Sequence, residues 1–585
     1  MLTTTAEEIT REDLRAFHLS GHGLEHARPT EKLRLAGLDR ILAGIPRLEA
    51  TYPLYVAPNQ LPRPLVRFPG VNEAIARKVI AFMGDRPLVP VSEARDIINP
   101  SIEQSRIPAE GFLIGFHPDA AVLLYGAFLE LAQRDARRAF FLNAKRCVAD
   151  LEDLLAIDRA SRLPHSSDTV SASLGTAAKR FLCATALIGI FGHESGRRTG
   201  MEPARRARCE SILEVLRKGL DNEKRDPSFW LFHSGEAPSD LAVFGGRSCR
   251  HQDSCAAAIE FCDQQLAQFT DILRALRAAR LEIESAFDPD LHSVLLDRFD
   301  WRSAGSDELA ALPAVVIMEP PTQLAKVSMA SFAQLLRSRR PLHILVLSSG
   351  PFVDAEFPDF GSLAMVHRAA FVLQSSLARW DHLAAGVTEM TRTLRPAIAI
   401  ISGPAAQELA PDAWVETALY DFSKAFPLYR YDPGRDGDWA ERFQLFDPGA
   451  YSELRAIQAM AVSNRFRDHF RLIPPSASND GQMTAAEYFT SASSQAVPVL
   501  PVGDGEENQW RAVFTRELVD LCRDRGRVTE MLSRLASVPE TKNPVAGLEA
   551  LRQEGAAGAY AVVMGLLADP EKLVASAREN SRAER

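Results

Sequence analysis

The chain is poor in cysteine and has no CxxC pair: seven thiols, Cys147, Cys183, Cys209, Cys249, Cys255, Cys262 and Cys522, are scattered through 585 residues. So sparse and irregular a set excludes a disulfide framework and agrees with a reducing compartment. No CxxCxxC run exists to hold an iron–sulfur cluster. The sequence also lacks any apolar run of 18 residues or more, so no membrane-spanning helix is expected. Its opening, "MLTTTAEEITREDLR", is acidic where a secretory leader needs a basic start and an apolar centre. The expectation is a cytoplasmic protein with no membrane role. An excess of positive charge is missing too. The net charge of -9 argues against a general nucleic-acid binder, and the basic clusters "ARRARC" (204–209) and "RSRR" (337–340) read as solvated helix ends.

What is present is ordinary globular material, with 46% hydrophobic and 24% charged residues in a chain long enough for several buried cores. The first 110 residues are rich in helix formers and read as an arm or small helical domain. The prolines of "TYPLYVAPNQLPRPLVRFPG" interrupt it and force extended or turning backbone. From residue 111 to about 300 apolar residues recur every three or four positions, and residues 255–287 form one long amphipathic helix pattern. After Leu312 the period changes. "PAVVIM" (313–318), "LHILVL" (342–347) and "PAIAIIS" (396–402) are short Val- and Ile-rich runs separated by helical stretches. That is the pattern of strands buried on both faces of a parallel sheet, and it predicts an α/β fold with helices on both faces. Beyond "RLIPPSASNDGQ" (471–482) come a strand at "AVPVLPV", helices at about 511–536 and 544–567, and a charged tail, so the chain divides at 1–110, 111–475 and 476–585.

The stretch from "LLDRFDWRSAGSDEL" through "PAVVIMEPPTQLAK" to "LHILVLSSGPF" resembles the thiamine-pyrophosphate-binding domain of the pyruvate:ferredoxin (flavodoxin) oxidoreductase family. There a strand, a phosphate-binding turn, a helix, a Gly-containing loop and a second strand follow at similar spacing. "FVLQSSLARWDHLAAGVTEMTRTLRPAIAIISGP" looks like the family's later helix, helix and strand, and "FPLYRYDPGRDGDW" (426–439) like its "PLYRYDP" segment. The likeness is recognisable over residues 290–475 and implies a thiamine-diphosphate-binding-like fold.

Carried over one position at a time, the resemblance points to altered cofactor loops. The family has Gly-Asp-Gly after the first strand, where Asp ligates the divalent ion and the glycines let backbone N–H groups approach the diphosphate. Here Pro320, Pro321 and Thr322 stand at those positions. Proline has no backbone donor and ligates no cation. After the second strand the family places Asp-Thr and later Asn-Thr-Gly-Gly, whereas this chain has Ser348 and Ser349, then Asp354, Ala355 and Glu356. Asp354 and Glu356 keep some capacity to recruit a metal, without the first-turn ligand beside them. The separate pyrimidine-binding domain that completes the family's cofactor site has no counterpart in the 585 residues. The resemblance therefore implies a divergent, non-catalytic subunit or partner-binding protein of an oxidoreductase-type assembly, with protein partners or further copies of itself and no cofactor. The alternative is an active thiamine-pyrophosphate- and magnesium-dependent 2-oxoacid:acceptor oxidoreductase chain. A further reading keeps the crevice beyond the strand ends for another phosphate-containing ligand.

Three other constellations complete the reading. Cys249, His251, Cys255 and Cys262 would suit zinc or a cluster and a thiol- or metal-dependent sensor, but the five and six residues between the cysteines match no common metal knuckle, so packed or surface thiols are expected. His18, His22 and His26 are spaced by four, yet Gly21 and Gly23 favour a loop over a helix. His193 and Glu194 read as polar residues at a helix end.

Overall fold

A computed structural model describes residues 9–24, short stretches between 52 and 98, residues 110–162, 166–188 and 200–352, and residues 357–404, 413–446, 450–503 and 509–536, with single-residue or short gaps inside some of these ranges. The chain forms two compact units, one built from residues 1–132, 228–259 and 314–585, the other from 133–227 and 260–313.

The first unit opens with the helix Arg11–Ser20, held at its start by a capping box between Thr10 and Asp13 and stopped by Gly21 in the left-handed conformation at φ 77°. His18 therefore lies in a helix, buried in its last turn, while His22 falls beyond the stop and His26 lies outside the described residues. Four strands follow: β1 (Leu54–Val56), β2 (Leu65–Arg67), β3 (Leu88–Pro90) and β4 (Phe112–Ile114), in an antiparallel sheet of order β2-β1-β4-β3. The first two fall inside the proline-spaced stretch expected to be extended.

Eight strands form the central sheet: β5 (Phe229–His233), β6 (Gly246–Arg250), β7 (Ala314–Glu319), β8 (Leu342–Ser348), β9 (Phe371–Ser376), β10 (Ala397–Ser402), β11 (Tyr429–Tyr431) and β12 (Phe443–Leu445). Their order is β12-β11-β9-β10-β8-β7-β5-β6. The pairings from β6 to β9 are parallel and β11 and β12 are antiparallel. The α/β expectation holds at this level. β7, β8 and β10 are the three apolar runs, and their buried Val, Ile and Leu side chains leave little strand surface in water. On one face Val316, Leu345, Leu373, Ala399 and Ile401 pack with Leu383, Val387 and Met390 of the helix Trp380–Met390 and with Ala120–Leu129, the first turns of the helix Ala120–Arg162.

Two expectations are corrected. Residues 371–376, likened to a helix, are strand β9, because Phe371, Val372 and Leu373 are better suited to a pleated surface and the segment pairs in register with β10. The stretch 111–300, expected to be mainly helical, also contributes β5 and β6 to the sheet. β5 is a five-residue aromatic run, and β6, "GRSCR", is an edge strand with no apolar pattern to reveal it.

A third sheet has β13 (Phe470–Ile473), β14 (Gln482–Thr484), β15 (Val497–Gly503) and β16 (Gln509–Phe514) in the order β13-β16-β15-β14. The expected strand at "AVPVLPV" is β15. The helix expected from about 511 begins instead at Arg516, after β16. One group of this sheet's side chains packs on Leu14 and Phe17 of the first helix, and another on the helices Glu453–Val462 and Arg516–Ala536. The expected helix at 544–567 lies outside the described residues.

The second unit is helical, with residues from the helices Ala120–Arg162, Pro203–Glu223 and Ser254–Ile283 around a core of Phe140, Leu151, Leu213, Leu216, Phe269 and Leu276. "ARRARC" sits in the helix Pro203–Glu223, and it is not simply solvated. Arg205 and Arg208 each donate to the buried Glu282 carboxylate at 2.8 Å. Removing that acceptor takes away the one carboxylate that the Arg205 and Arg208 guanidinium groups share. Glu282→Ala is expected to cost about 2 to 4 kcal/mol, read as a lower denaturant midpoint, whereas Glu282→Gln should cost less.

Candidate functional site

In an open parallel sheet the natural place for a ligand is the crevice beyond the carboxyl ends of the strands, where the connections reverse direction. The chain leaves β5 toward β6 and leaves β7 toward β8 on the opposite side, so one reversal falls between β5 and β7. A second lies where the chain passes from β8 over to β9 and returns to β10 between them. Both places carry buried polar side chains.

At the first, β7 ends in Glu319, which is 1% exposed. Its Oε2 accepts a 2.6 Å hydrogen bond from the Ser234 hydroxyl just beyond β5, while Oε1 has no partner. Burial pushes this carboxyl above its ordinary range, with the Ser234 and Ser254 hydroxyls pulling it back. Ser254 opens the long helix and Cys255 follows it, both fully buried. Burial, with Asp253 and Glu319 nearby, holds the Cys255 thiol well above its usual value, the opposite of what a thiolate nucleophile needs. Ser328 is also fully buried, and its hydroxyl, like that of Ser254, lies beside the Cys255 thiol.

The positions expected to matter in this turn follow at once. Pro320 is extended at φ -74°, ψ 157°, and Pro321 is the first residue of the short helix Pro321–Lys326. A proline fits there because the first helical N–H has no intrahelical partner to lose. Pro320 supplies the carbonyl that accepts from Gln323 and Leu324, Pro321 is buried, and Thr322 is half-buried. The two prolines thus seat a helix against the end of β7, where neither gives a backbone donor.

At the second place three strands end in serine at one register level. Ser402 pairs with Ser348 on one side and with Ser376 on the other, so the three hydroxyls share a face of the sheet. All three residues are buried. Ser348 Oγ accepts from Gly350 N at 3.2 Å and Ser376 Oγ from Ala378 N at 3.1 Å, which closes each strand with a local turn. Gly350 is needed for that turn: its φ is +123°, and a Cβ there would come within 2.9 Å of the Tyr420 ring. Ser349 is half-buried and its carbonyl accepts from Arg465 at 3.4 Å. Asp354 and its neighbours Ala355 and Glu356 lie outside the described residues.

Beside Ser376 lies Asp421, from the helix Ala413–Ser423 and 4% exposed. Burial raises it to about 7, and the nearby Ser376 hydroxyl, Arg379 and Lys424 only partly oppose that. Glu319, Ser376, Ser402 and Asp421 escaped the sequence reading, because a Ser or Glu after an apolar run looks like the start of a turn. Their one signal is the repetition of "LS", "SS" and "IS" at the ends of β8, β9 and β10.

The other candidates do not assemble. Cys249 is half-buried on β6, and His251 is exposed and stacks on Phe232 with ring centres 5.8 Å apart. Cys255 and Cys262 are buried in their helix. Among the described residues no three His, Cys, Asp or Glu side chains come together as a metal-binding group. No helix among them is long and apolar enough to cross a membrane. His193 and Glu194 lie outside the described residues.

Asp421 makes stability depend on pH. Its folded value of about 7 exceeds the unfolded carboxylate value of about 3.9. The folded chain therefore keeps a proton that the unfolded chain has released. This contribution is complete below about pH 4 and is lost as pH rises through 7. Asp421→Asn should raise stability at pH 8 by about 2 to 4 kcal/mol and leave it nearly unchanged at pH 4. Urea unfolding at the two pH values tests this, and a gain of equal size at both would contradict it.

The chain matches no protein-family model and no curated protein.

Proposed function

We propose that the chain is a divergent member of the pyruvate:ferredoxin (flavodoxin) oxidoreductase family with a thiamine-diphosphate-binding-like core. In this reading it acts in the cytoplasm as a non-catalytic subunit or partner-binding protein of an oxidoreductase-type assembly. The support for kinship is the sequence resemblance over residues 290–475, together with the succession β7, turn, helix, β8 in a mostly parallel sheet.

The loss of catalysis rests on one observation. At the end of β7, where the family's turn would meet a diphosphate and its cation, a buried carboxylate with a free oxygen is followed by two prolines. A diphosphate there would face the negative charge of Glu319 instead of backbone N–H groups, and desolvation makes that repulsion stronger than in water. The residues present do not fit the cofactor, and no catalytic step is derived through it. The alternative of an active thiamine-pyrophosphate enzyme, and that of another phosphate ligand in the same crevice, meet the same obstacle.

Isothermal calorimetry of the purified chain with thiamine pyrophosphate and magnesium should give no saturable heat, and micromolar binding would refute the proposal. Replacing Pro320 and Pro321 by Gly and Asp should lower stability by about 1 to 3 kcal/mol, because the unfolded chain gains freedom and a second carboxylate joins Glu319. The melting temperature of this double variant should not respond to thiamine pyrophosphate and magnesium.

A further inference from the structure

The central sheet ends on one side in β6, which pairs with β5 alone among the described residues. The register shows which of its backbone groups that pairing uses. Phe229 N donates to the Gly245 carbonyl at 3.5 Å and His251 N to the His233 carbonyl at 2.9 Å, so residues 245, 247, 249 and 251 face β5. The N–H and C=O groups of Gly246, Ser248 and Arg250 therefore point outward, and no described residue bonds them. Side chains leave this edge open: Arg247, Ser248 and Arg250 are exposed, and Gly246 and Cys249 are half-buried. The opposite edge differs, since β12 lies against the helices Trp439–Arg442 and Arg516–Ala536 and its Phe443 is buried. Successive side chains of a strand alternate, so Arg247 and Arg250 project from opposite faces of β6. Arg247 stacks on the Trp230 ring, 5.1 Å from its centre, and Arg250 Nε donates to the Ser234 carbonyl at 3.2 Å. Both guanidinium groups are thereby held beside the strand.

We propose that β6 accepts an extended acidic segment of a partner protein as an added strand, with one carboxylate against Arg247 and a second, three residues along, against Arg250. Main-chain bonds to the outward N–H and C=O groups supply affinity for any extended chain, and the two arginines supply the choice among chains. A second copy of this protein fits worse. Two β6 strands related by a two-fold axis run antiparallel, and pairing about Ser248 sets the two Arg247 side chains diagonally across one face, with two Arg250 side chains on the other. Like charges so placed repel, which guards the edge against its own kind and leaves it open to an acidic strand. The inference is independent of the kinship proposed above, since it uses only β5, β6 and the chain beside them.

The experiment uses the full chain and the fluorescein-labelled peptide Thr-Glu-Val-Thr-Glu-Val, read by fluorescence anisotropy. Its controls are the lysine counterpart Thr-Lys-Val-Thr-Lys-Val and the acidic peptide with every backbone nitrogen methylated, which keeps the charge and loses the donors. Saturable binding of the acidic peptide, at least tenfold weaker for either control, is the expected result. Ser248→Pro removes an outward N–H and none of the bonds to β5, so it should weaken binding at least tenfold with little change in melting temperature. Arg247→Glu combined with Arg250→Glu should turn the preference toward the lysine peptide, so a misfolded Ser248→Pro protein still leaves a variant to read. Equal binding of the methylated peptide, undiminished binding of the acidic peptide in both variants, or no binding of it to the wild-type chain would overturn the proposal. So would dimerisation of the wild-type chain in sedimentation that Ser248→Pro abolishes, since the edge would then belong to a second copy.

Discussion

Strands buried on both faces must end somewhere, and in the central sheet they end in polar side chains that stay out of water. β7 closes on Glu319, and β8, β9 and β10 close on Ser348, Ser376 and Ser402, all buried. Each buried hydroxyl or carboxyl has to be matched or it costs free energy. Ser348 and Ser376 are matched by the N–H groups of the turns they start. Glu319 accepts from Ser234, Asp421 is only partly offset by the Ser376 hydroxyl, and Ser402 Oγ is not matched. The placement of Gly350, Pro320 and Pro321 follows from this rim. The glycine lets the chain turn tightly beneath Tyr420, and the prolines start a helix where no backbone donor is lost.

The same constraint connects fold to function. A rim that served a diphosphate would present N–H groups and a cation ligand, and its carboxylates would stay ionised by contact with the metal. In this rim the carboxyls are desolvated, so one titrates near neutrality and the other lies above its ordinary range.

Much of the sheet was legible because it obeys a simple pattern. The Val- and Ile-rich runs of β7, β8 and β10 cannot be soluble helices of useful length, and their spacing left room for crossover helices. The long helix, expected at 255–287, spans Ser254–Ile283, since its apolar period persists for many turns. β9 was hidden because Gln374, Ser375 and Ser376 dilute its apolar run, and only pairing with β10 makes it a strand. β16 was hidden because Gln509 and Arg511 interrupt its apolar run next to a strongly helical segment. The rim was the least legible part. Its members are five single residues far apart in sequence, and topology alone brings them to one edge. The cysteine cluster erred in the other direction, being close in sequence but split between an edge strand, an exposed turn and a buried helix face.

The central claim is that this rim holds a desolvated carboxyl, Asp421, that keeps its proton up to about pH 7. Infrared difference spectra of the wild-type chain, taken as pH rises through neutrality, measure it directly. The account predicts loss of a protonated carboxylic-acid band centred near pH 7, the value expected for Asp421, and its absence in Asp421→Asn. A wild-type chain whose carboxylic-acid bands have all vanished by pH 5, within the ordinary carboxylate range, would contradict it.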